Sequence, residues 1–359
     1  MVVDCGGGTV DITVHELLDK QGTLKELQKA SGGPYGSIGV DMEFEKLLCD
    51  IFGENFMQQF RSKRPIGYVD LMIAFEARKR NANPYKTNSL NISLPYSFIE
   101  YYKQYKGSSV ESAIKKSSHK NVKWSQGMLR LEPSAMEALF QKTVTEIKKH
   151  IESIVDQEDM NIDHIFLVGG FAESLILQKE IKEAFSSKLK VVIPQGVSLA
   201  ILKGAVLFGL DPTTVNIRRL RMTYGVGVLH RFIHGIHPRE KLVIKDGIQW
   251  CADVFDKFVV NGQSVGVGDV VVRCYTPAKD GQSCSVIHIY CSEKDNIYFI
   301  TDPGVKRCAT LILDLSDSRY IQGREIQTRM MFGDTEIKVS ALDVTTGKCV
   351  KADIDFLNY

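Results

Sequence analysis

The sequence predicts an α/β protein to about residue 210 and an all-β region beyond it. Before Asp211, short apolar strands alternate with long stretches of 3.6-residue periodicity. After Asp211-Pro212 that period is lost, and β-branched and aromatic residues alternate with polar ones between turn residues. A third observation marks where chemistry would sit: DCGGGTVD places three glycines between Asp4 and Asp11.

Met1 to Val3 and Val10 to Val14 are apolar or β-branched, so the glycines read as a hairpin loop between strands. GK[ST] is missing, which excludes a P-loop. Gly6, Gly7 and Gly8 are expected to bend through φ angles closed to other residues and to bring bare N–H groups to anionic oxygens. Thr9 adds a hydroxyl, and Asp4 and Asp11 could order the water shell of a magnesium ion. The plain alternative is a tight hairpin between buried strands.

Phe44 to Phe60 reads as one helix, apolar at Phe44, Leu47, Leu48, Ile51 and Phe52. In FEARKRNAN, Glu76, Lys79, Arg80 and Asn83 lie at i, i+3, i+4 and i+7 and are expected to share one helical face. That face is either a solvated ion-paired surface or a clamp, with a carboxylate for ribose hydroxyls and an arginine plane for a base. Pro133 opens a helix carrying Met136, Leu139, Phe140, Val144, Ile147 and Ile151. His164 to Gly170 is an apolar strand ending in Gly-Gly, followed by a helix from about Ser174 to Phe185, a second place where a ligand can meet backbone N–H groups. A helix from Ser198 to Phe208 carries Gly204-Ala205, small residues suited to close packing.

In the β region, strands are expected at Val270 to Tyr275, Ser285 to Cys291, Ile297 to Thr301 and Thr310 to Leu315. Thr335 to Phe356 alternates as a hairpin turning at Thr345-Thr346-Gly347.

With 359 residues, 44% hydrophobic and 25% charged, the composition is that of a globular protein of two or three domains. A net charge of +2 provides no long-range attraction for nucleic acid or an acidic membrane. The basic run Lys115 to Lys123 reads as a solvated face. No apolar run approaches membrane-spanning length and no signal peptide is read, so a cytoplasmic chain without membrane insertion is expected. Eight cysteines at irregular spacings, with no CxxC, read as reduced thiols. His230, His234 and His237 have no cysteine nearby and are read as ordinary side chains, not a zinc site.

DCGGGTVD, GVDMEF (Gly39 to Phe44), FEARKRNAN, FLVGG (Phe166 to Gly170) and LKGAV (Leu202 to Val206) follow the order and approximate spacing of the actin-like ATPase fold of the seventy-kilodalton heat-shock proteins. FLVGGFAES and TYGV (Thr223 to Val226) most resemble that family's divergent member-twelve branch, and MFGDTEIKVSALDVTTGK is similar to the last hairpin of its β-sandwich peptide-binding domain. The resemblance implies a partial actin-like ATPase, its second lobe, at residues 1–210, a linker at 211–222 and a β-sandwich-like substrate-binding domain at 223–359.

It further implies ATP or ADP with Mg2+ as ligands, and client peptides or proteins as partners. Carried over by position, Asp4, Gly6, Gly7, Gly8 and Thr9 form the second phosphate loop, and Asp11 is its second carboxylate. Gly39 lies beside the phosphates, Glu76, Lys79, Arg80 and Asn83 clamp the adenosine, and Gly169 and Gly170 underlie the nucleoside. Phe171-Ala172-Glu173 replaces the usual Ser-Thr-Arg, so one adenine-stacking arginine is missing and Phe171 offers a substitute flat surface. Ser198 stands where an aspartate is usual. The first lobe's phosphate loop and lysine are not among these residues, so no catalytic residue is assigned and little hydrolysis is expected. A nucleotide-independent interaction module built on the same fold remains the alternative, and a sugar or metabolite kinase a remoter one.

Overall fold

The computed structural model describes residues 1–20, 22–158, 160–277, 279, 281–317, 323–332 and 336–355. It is a mixed α/β protein with several sheets, divided into two compact units: Met1–Thr13 with Ala30–Leu207, and Val14–Lys29 with Phe208–Tyr359.

In chain order the first part of the molecule contains β1 (Val2–Cys5), β2 (Val10–Leu17), β3 (Leu24–Gly33), α1 (Ile38–Phe52), α2 (Glu54–Lys63), α3 (Pro65–Arg80), β4 (Leu90–Ser93), α4 (Tyr96–Lys106) and α5 (Val110–Lys116). There follow β5 (Val122–Ser125), β6 (Met128–Leu131), α6 (Pro133–Val155), β7 (His164–Val168), α7 (Leu175–Phe185), β8 (Lys190–Val192) and α8 (Ala200–Leu210). Strand β1 lies inside the sheet that carries the glycine motifs, antiparallel to β2 and parallel to β7, which in turn runs parallel to β8. Register sets Val3 beside both Ile12 and Leu167, and with Cys5, Val10 and Ile165 these residues form a buried face. The polar positions of the alternation fall on the other face: Asp4 pairs with Asp11 and with Val168.

The single helix expected from Phe44 to Phe60 is two helices. Gly53, at φ 95°, ends α1 and begins α2, a conformation that costs glycine little and other residues much. The bend gathers Phe52, Phe56, Phe60, Phe98 and Tyr102 into one aromatic cluster with edge-to-face rings. Between α1 and α3, Phe44 and Phe75 stack with ring centroids 3.9 Å apart, and both are fully buried. This contact fixes where the charged end of α3 points.

Helix α8 buries none of its residues. Leu202, Val206, Leu207 and Leu210 are 60–78% exposed, and no atom lies within 4 Å of a Cβ built at Gly204 or Gly209, so the close packing expected around Gly204-Ala205 is absent.

The second part contains β9 (Val215–Arg219), β10 (Thr223–Arg231), β11 (Leu242–Lys245), β12 (Ile248–Val259), β13 (Ser264–Gly266), β14 (Val270–Tyr275), β15 (Cys284–Ser292), β16 (Lys306–Asp314), β17 (Ile326–Phe332), β18 (Glu336–Asp343) and β19 (Cys349–Asp355). A five-stranded antiparallel sheet, β11-β12-β10-β15-β16, and a four-stranded one, β14-β17-β18-β19, share a single core. Tyr224, Ile289 and Leu311 of the first sheet and Met330, Val339 and Ile354 of the second belong to it. The β18–β19 hairpin turns at Gly347 (φ 73°) as its pattern predicts, while its expected ends, Thr335 and Phe356, lie outside the described residues. Ile297 to Thr301 does not form the expected strand. The Asp302 carboxylate accepts from the N–H groups of Tyr298 and Phe299 and folds the segment into a turn, leaving one bridge between Val254 and Phe299. Within the same unit, Leu24 and Lys25 of β3 pair in parallel with β9. Among the described residues, no helix is long and apolar enough to cross a membrane.

Candidate functional site

Gly6 to Thr9 link β1 to β2 in a turn closed by a hydrogen bond from Gly6 N–H to the Thr9 carbonyl (2.9 Å). None of the three glycines has a positive φ, contrary to the expectation. Their value lies in space and not in backbone freedom. Gly36 N–H donates to the Gly8 carbonyl (3.2 Å), Ser37 N–H to Gly6 (3.1 Å) and Ile38 N–H to Gly7 (2.9 Å), so the chain entering α1 occupies the carbonyl side of the loop. Among the described residues, the N–H groups of Gly7 and Gly8 donate to no other group, and a Cβ on either would meet nothing within 4 Å. Thr9 is exposed, its hydroxyl donating to Asp11 Oδ2 (3.2 Å).

Asp4 and Asp11 face each other across the antiparallel pair, where like charges repel. Burial, and then the Asp11 charge, raise the Asp4 carboxyl above its ordinary value. Beside it, Gly169 at φ 91° ends β7; a Cβ there would lie 2.2 Å from Asp4 Oδ1 and 2.5 Å from the Cys5 carbonyl, so glycine is required. Gly170 has open space around it and leads into the single turn Phe171–Glu173, after which Ser174 caps α7.

Glycine loop, Gly170 and the end of α3 meet at a cavity of about 170 Å³ lined by Gly7, Gly170, Glu76, Lys79 and Arg80, with Ser37, Phe140, Phe171, Glu173 and Ser174 completing it. Phe171 is buried against Phe140, ring centroids 6.2 Å apart and nearly parallel, and so forms a fixed apolar wall. Lys79 is almost fully buried and its ammonium is bound to Asp41 (2.8 and 2.9 Å) and Glu76 (2.6 Å). Arg80 is 71% exposed and anchored through Nε to Glu76 (2.7 Å). Burial pushes the Glu76 carboxyl up, but hydrogen bonds from Lys79 and Arg80 outweigh it and hold the group below its ordinary value. For Asp41 burial wins over Lys79, and its carboxyl is raised.

Of the other proposed site residues, Asp4, Gly6, Gly8, Thr9, Asp11 and Gly169 belong to the strands and loop beside the cavity without lining it, and neither Asn83 nor Gly39 lines it. Asn83 is past the end of α3, which stops at Arg80 with Asn81 as its cap; Pro84 disfavours helix in the residue before it, so the i+7 position does not exist. Asn83 instead accepts from Tyr85 N–H (2.9 Å) and borders a separate cavity with Asn81 and Lys86. Gly39, next to the Ile38 that donates to the Gly7 carbonyl, does not line the cavity; its Cβ side presses on α6, where a Cβ would lie 2.4 Å from Thr143 Oγ1. The places beside the loop belong to Gly36 and Ser37. Asp41, Glu173 and Ser174 were also missed as site residues, although Gly32-Gly33-Pro34-Tyr35-Gly36 immediately before a helix was a visible signal of close backbone approach.

A mixed α/β protein with several sheets and this loop is compatible with the fold of the seventy-kilodalton heat-shock proteins. No family model matches the chain. It is 58% identical over 364 residues to heat shock 70 kDa protein 12A of Mus musculus and, at the same identity and length, to that of Homo sapiens. Heat shock 70 kDa protein 12B of Homo sapiens is 53% identical over 369 residues. Each match covers 100% of this chain and 54% of the relative, so the chain spans about half the length of the curated relatives it matches. The chain belongs to the heat shock 70 kDa protein 12 family.

Proposed function

We propose that the first unit is the second lobe of an actin-like nucleotide-binding fold and that its cavity takes ATP or ADP. One observation carries this reading: a loop with its carbonyl side occupied and its Gly7 and Gly8 N–H groups open borders the same cavity as the Glu76–Lys79–Arg80 group. Open N–H groups suit phosphate oxygens, the exposed guanidinium of Arg80 suits stacking on a base, and Glu76 suits ribose hydroxyls. Asp4 and Asp11 fit a magnesium ion held through water, since the ion takes one or two carboxylates and would offset their cross-strand repulsion. Bound there, Mg2+ would neutralise phosphate charge. A cavity of about 170 Å³ is smaller than one that encloses a whole ligand of this size, so affinity through this lobe is weak. The bare apolar surface of α8 supports the partial-lobe reading, because such a face fits packing against an opposing lobe.

The second unit is read as a β-sandwich that holds client peptides. One of its cavities, about 490 Å³, is bordered by Trp250, Tyr275, Ile248 and Val286 together with Lys245, Asp246, Gln282 and Ser285, a mixed lining with apolar side chains for a peptide's side chains and polar groups for its backbone. Together these sites support a chaperone-like protein with an adenine-nucleotide site.

Arg80→Ala separates this reading from a nucleotide-independent interaction module. It should weaken ATP binding in calorimetry while leaving pyrophosphate binding unchanged, with Lys79→Ala acting in the same direction but less strongly. Equal weakening of both ligands would make α3 a general source of charge, and no heat from any nucleotide would leave the interaction module.

A further inference from the structure

We propose that Asp41 is a positioning residue for ribose recognition: by holding the Lys79 ammonium it leaves the Glu76 carboxylate free to accept from ribose hydroxyls. The proposal rests on the nucleotide reading of the same cavity.

Lys79 is 5% exposed, and an ammonium so deeply placed must be paired. It has three N–H donors, and three carboxylate oxygens surround it: Asp41 Oδ1 at 2.8 Å, Asp41 Oδ2 at 2.9 Å and Glu76 Oε2 at 2.6 Å. None is left for a ligand. The Phe44–Phe75 stack holds α1 against α3 and keeps Asp41 opposite Lys79, so the contact is built into the packing of two helices. Lys79 therefore acts within the protein, and the group facing the cavity as an acceptor is Glu76, whose side chain is 38% exposed.

Glu76 spends one lone pair on Lys79 and one on Arg80 Nε, and a carboxylate offers about four. The remaining two suit the vicinal hydroxyls of a ribose. Four charges make up the chain Asp41–Lys79–Glu76–Arg80, two of each sign. If Asp41 loses its charge, Glu76 is the one carboxylate still bonded to both Lys79 and Arg80, with Glu173 acting on Arg80 only through its charge, and the freed Lys79 donors turn to the Glu76 oxygens that would otherwise meet the sugar. Asp41 thus sets the availability of Glu76 without touching the ligand.

Asp41→Asn keeps the side-chain shape and removes the charge. Wild type is expected to bind ATP about tenfold more tightly than 2′-deoxy-ATP, the value of one hydrogen bond to a charged acceptor. In Asp41→Asn that preference should fall to about twofold while pyrophosphate binding stays unchanged, and Asp41→Glu should restore most of it. An unaltered tenfold preference in Asp41→Asn would overturn the proposal. So would a parallel loss of pyrophosphate binding, which would make Asp41 a general structural residue. Equal affinity of wild type for ATP and 2′-deoxy-ATP would overturn it and leave the nucleotide reading standing, whereas wild type binding neither ATP nor pyrophosphate would remove both.

Discussion

Gly36→Ala tests whether the loop is shaped by the chain that enters α1. A Cβ at residue 36 would lie 2.3 Å from the Gly7 carbonyl oxygen and 2.5 Å from the carbonyl carbons of Gly7 and Gly8. These neighbours are backbone, so no side chain can swing aside, and relief requires the loop and the start of α1 to part by roughly 1 Å against ordinary van der Waals distances. The three hydrogen bonds from Gly36, Ser37 and Ile38 to the loop carbonyls stretch together. Overpacking of this kind costs about 1–3 kcal/mol, and because the three hydrogen bonds, each worth about 0.5–1.5 kcal/mol when intact, are lengthened and not lost, the local loss falls in the upper part of that range, about 2–3 kcal/mol. Amide exchange is the suitable assay, because it reads local opening in a protein of two units. The Ile38 amide should exchange about 30–150-fold faster than in wild type, while amides of the β18–β19 hairpin stay as they were. Gly8→Ala is the control: its Cβ meets open space, so the Ile38 amide should be little changed. Wild-type exchange in Gly36→Ala, or equal acceleration in Gly8→Ala, would refute the close approach.

Gly169→Ala faces both a left-handed φ of 91° and a Cβ position 2.2 Å from Asp4 Oδ1, and should lower stability in urea unfolding by about 2–4 kcal/mol. Phe75→Ala removes the buried ring stacked on Phe44 and should cost about 3–5 kcal/mol, with ribose discrimination lost alongside; stability loss with discrimination intact would separate the clamp from the α1–α3 packing. Because the folded-state pKa of Asp4 is raised, its contribution to stability is complete below the unfolded value of about 3.9 and is lost as pH rises through the folded value. At neutral pH without Mg2+, Asp4→Asn should therefore melt higher than wild type, and millimolar Mg2+ should raise the melting temperature of wild type alone. Cys291 and Cys308, on neighbouring strands β15 and β16, hydrogen-bond through their thiols; mild diamide treatment followed by alkylation of the unfolded chain should show two fewer thiols in wild type and no loss in Cys308→Ser, where Cys291 has no thiol partner on β16.

Where function depends on local pattern, the sequence was legible. The β1–β2 hairpin, the strand ending in Gly169-Gly170 and the β18–β19 hairpin all form where alternation and glycine placement put them. Glu76, Lys79, Arg80, Gly7, Gly170 and Phe171 do share one cavity. What was illegible depends on contacts between distant segments. That Lys79 is committed to Asp41 follows from the stacking of two phenylalanines on different helices, and local spacing shows only its i−3 partner Glu76. Gly36 and Gly39 look equivalent in sequence, but one meets the loop backbone and the other a threonine of α6. The grouping of Val14–Lys29 with the second unit arises from pairing to a strand almost two hundred residues further along, a partner that no window along the chain contains. The bare surface of α8 was likewise hidden, because an apolar helix reads as a core element whether or not anything covers it.

The central claim is that adenine nucleotide binds at the open N–H groups of the Gly6 to Thr9 loop. Titration calorimetry of the chain at high concentration with ATP and ADP in the presence of Mg2+, repeated on Gly7→Val, tests it most directly, since the valine fills the open space at Gly7. Weak, saturable heat with wild type that disappears in a folded Gly7→Val is the predicted result, and heat of the same affinity in both proteins, or none in wild type, would contradict it.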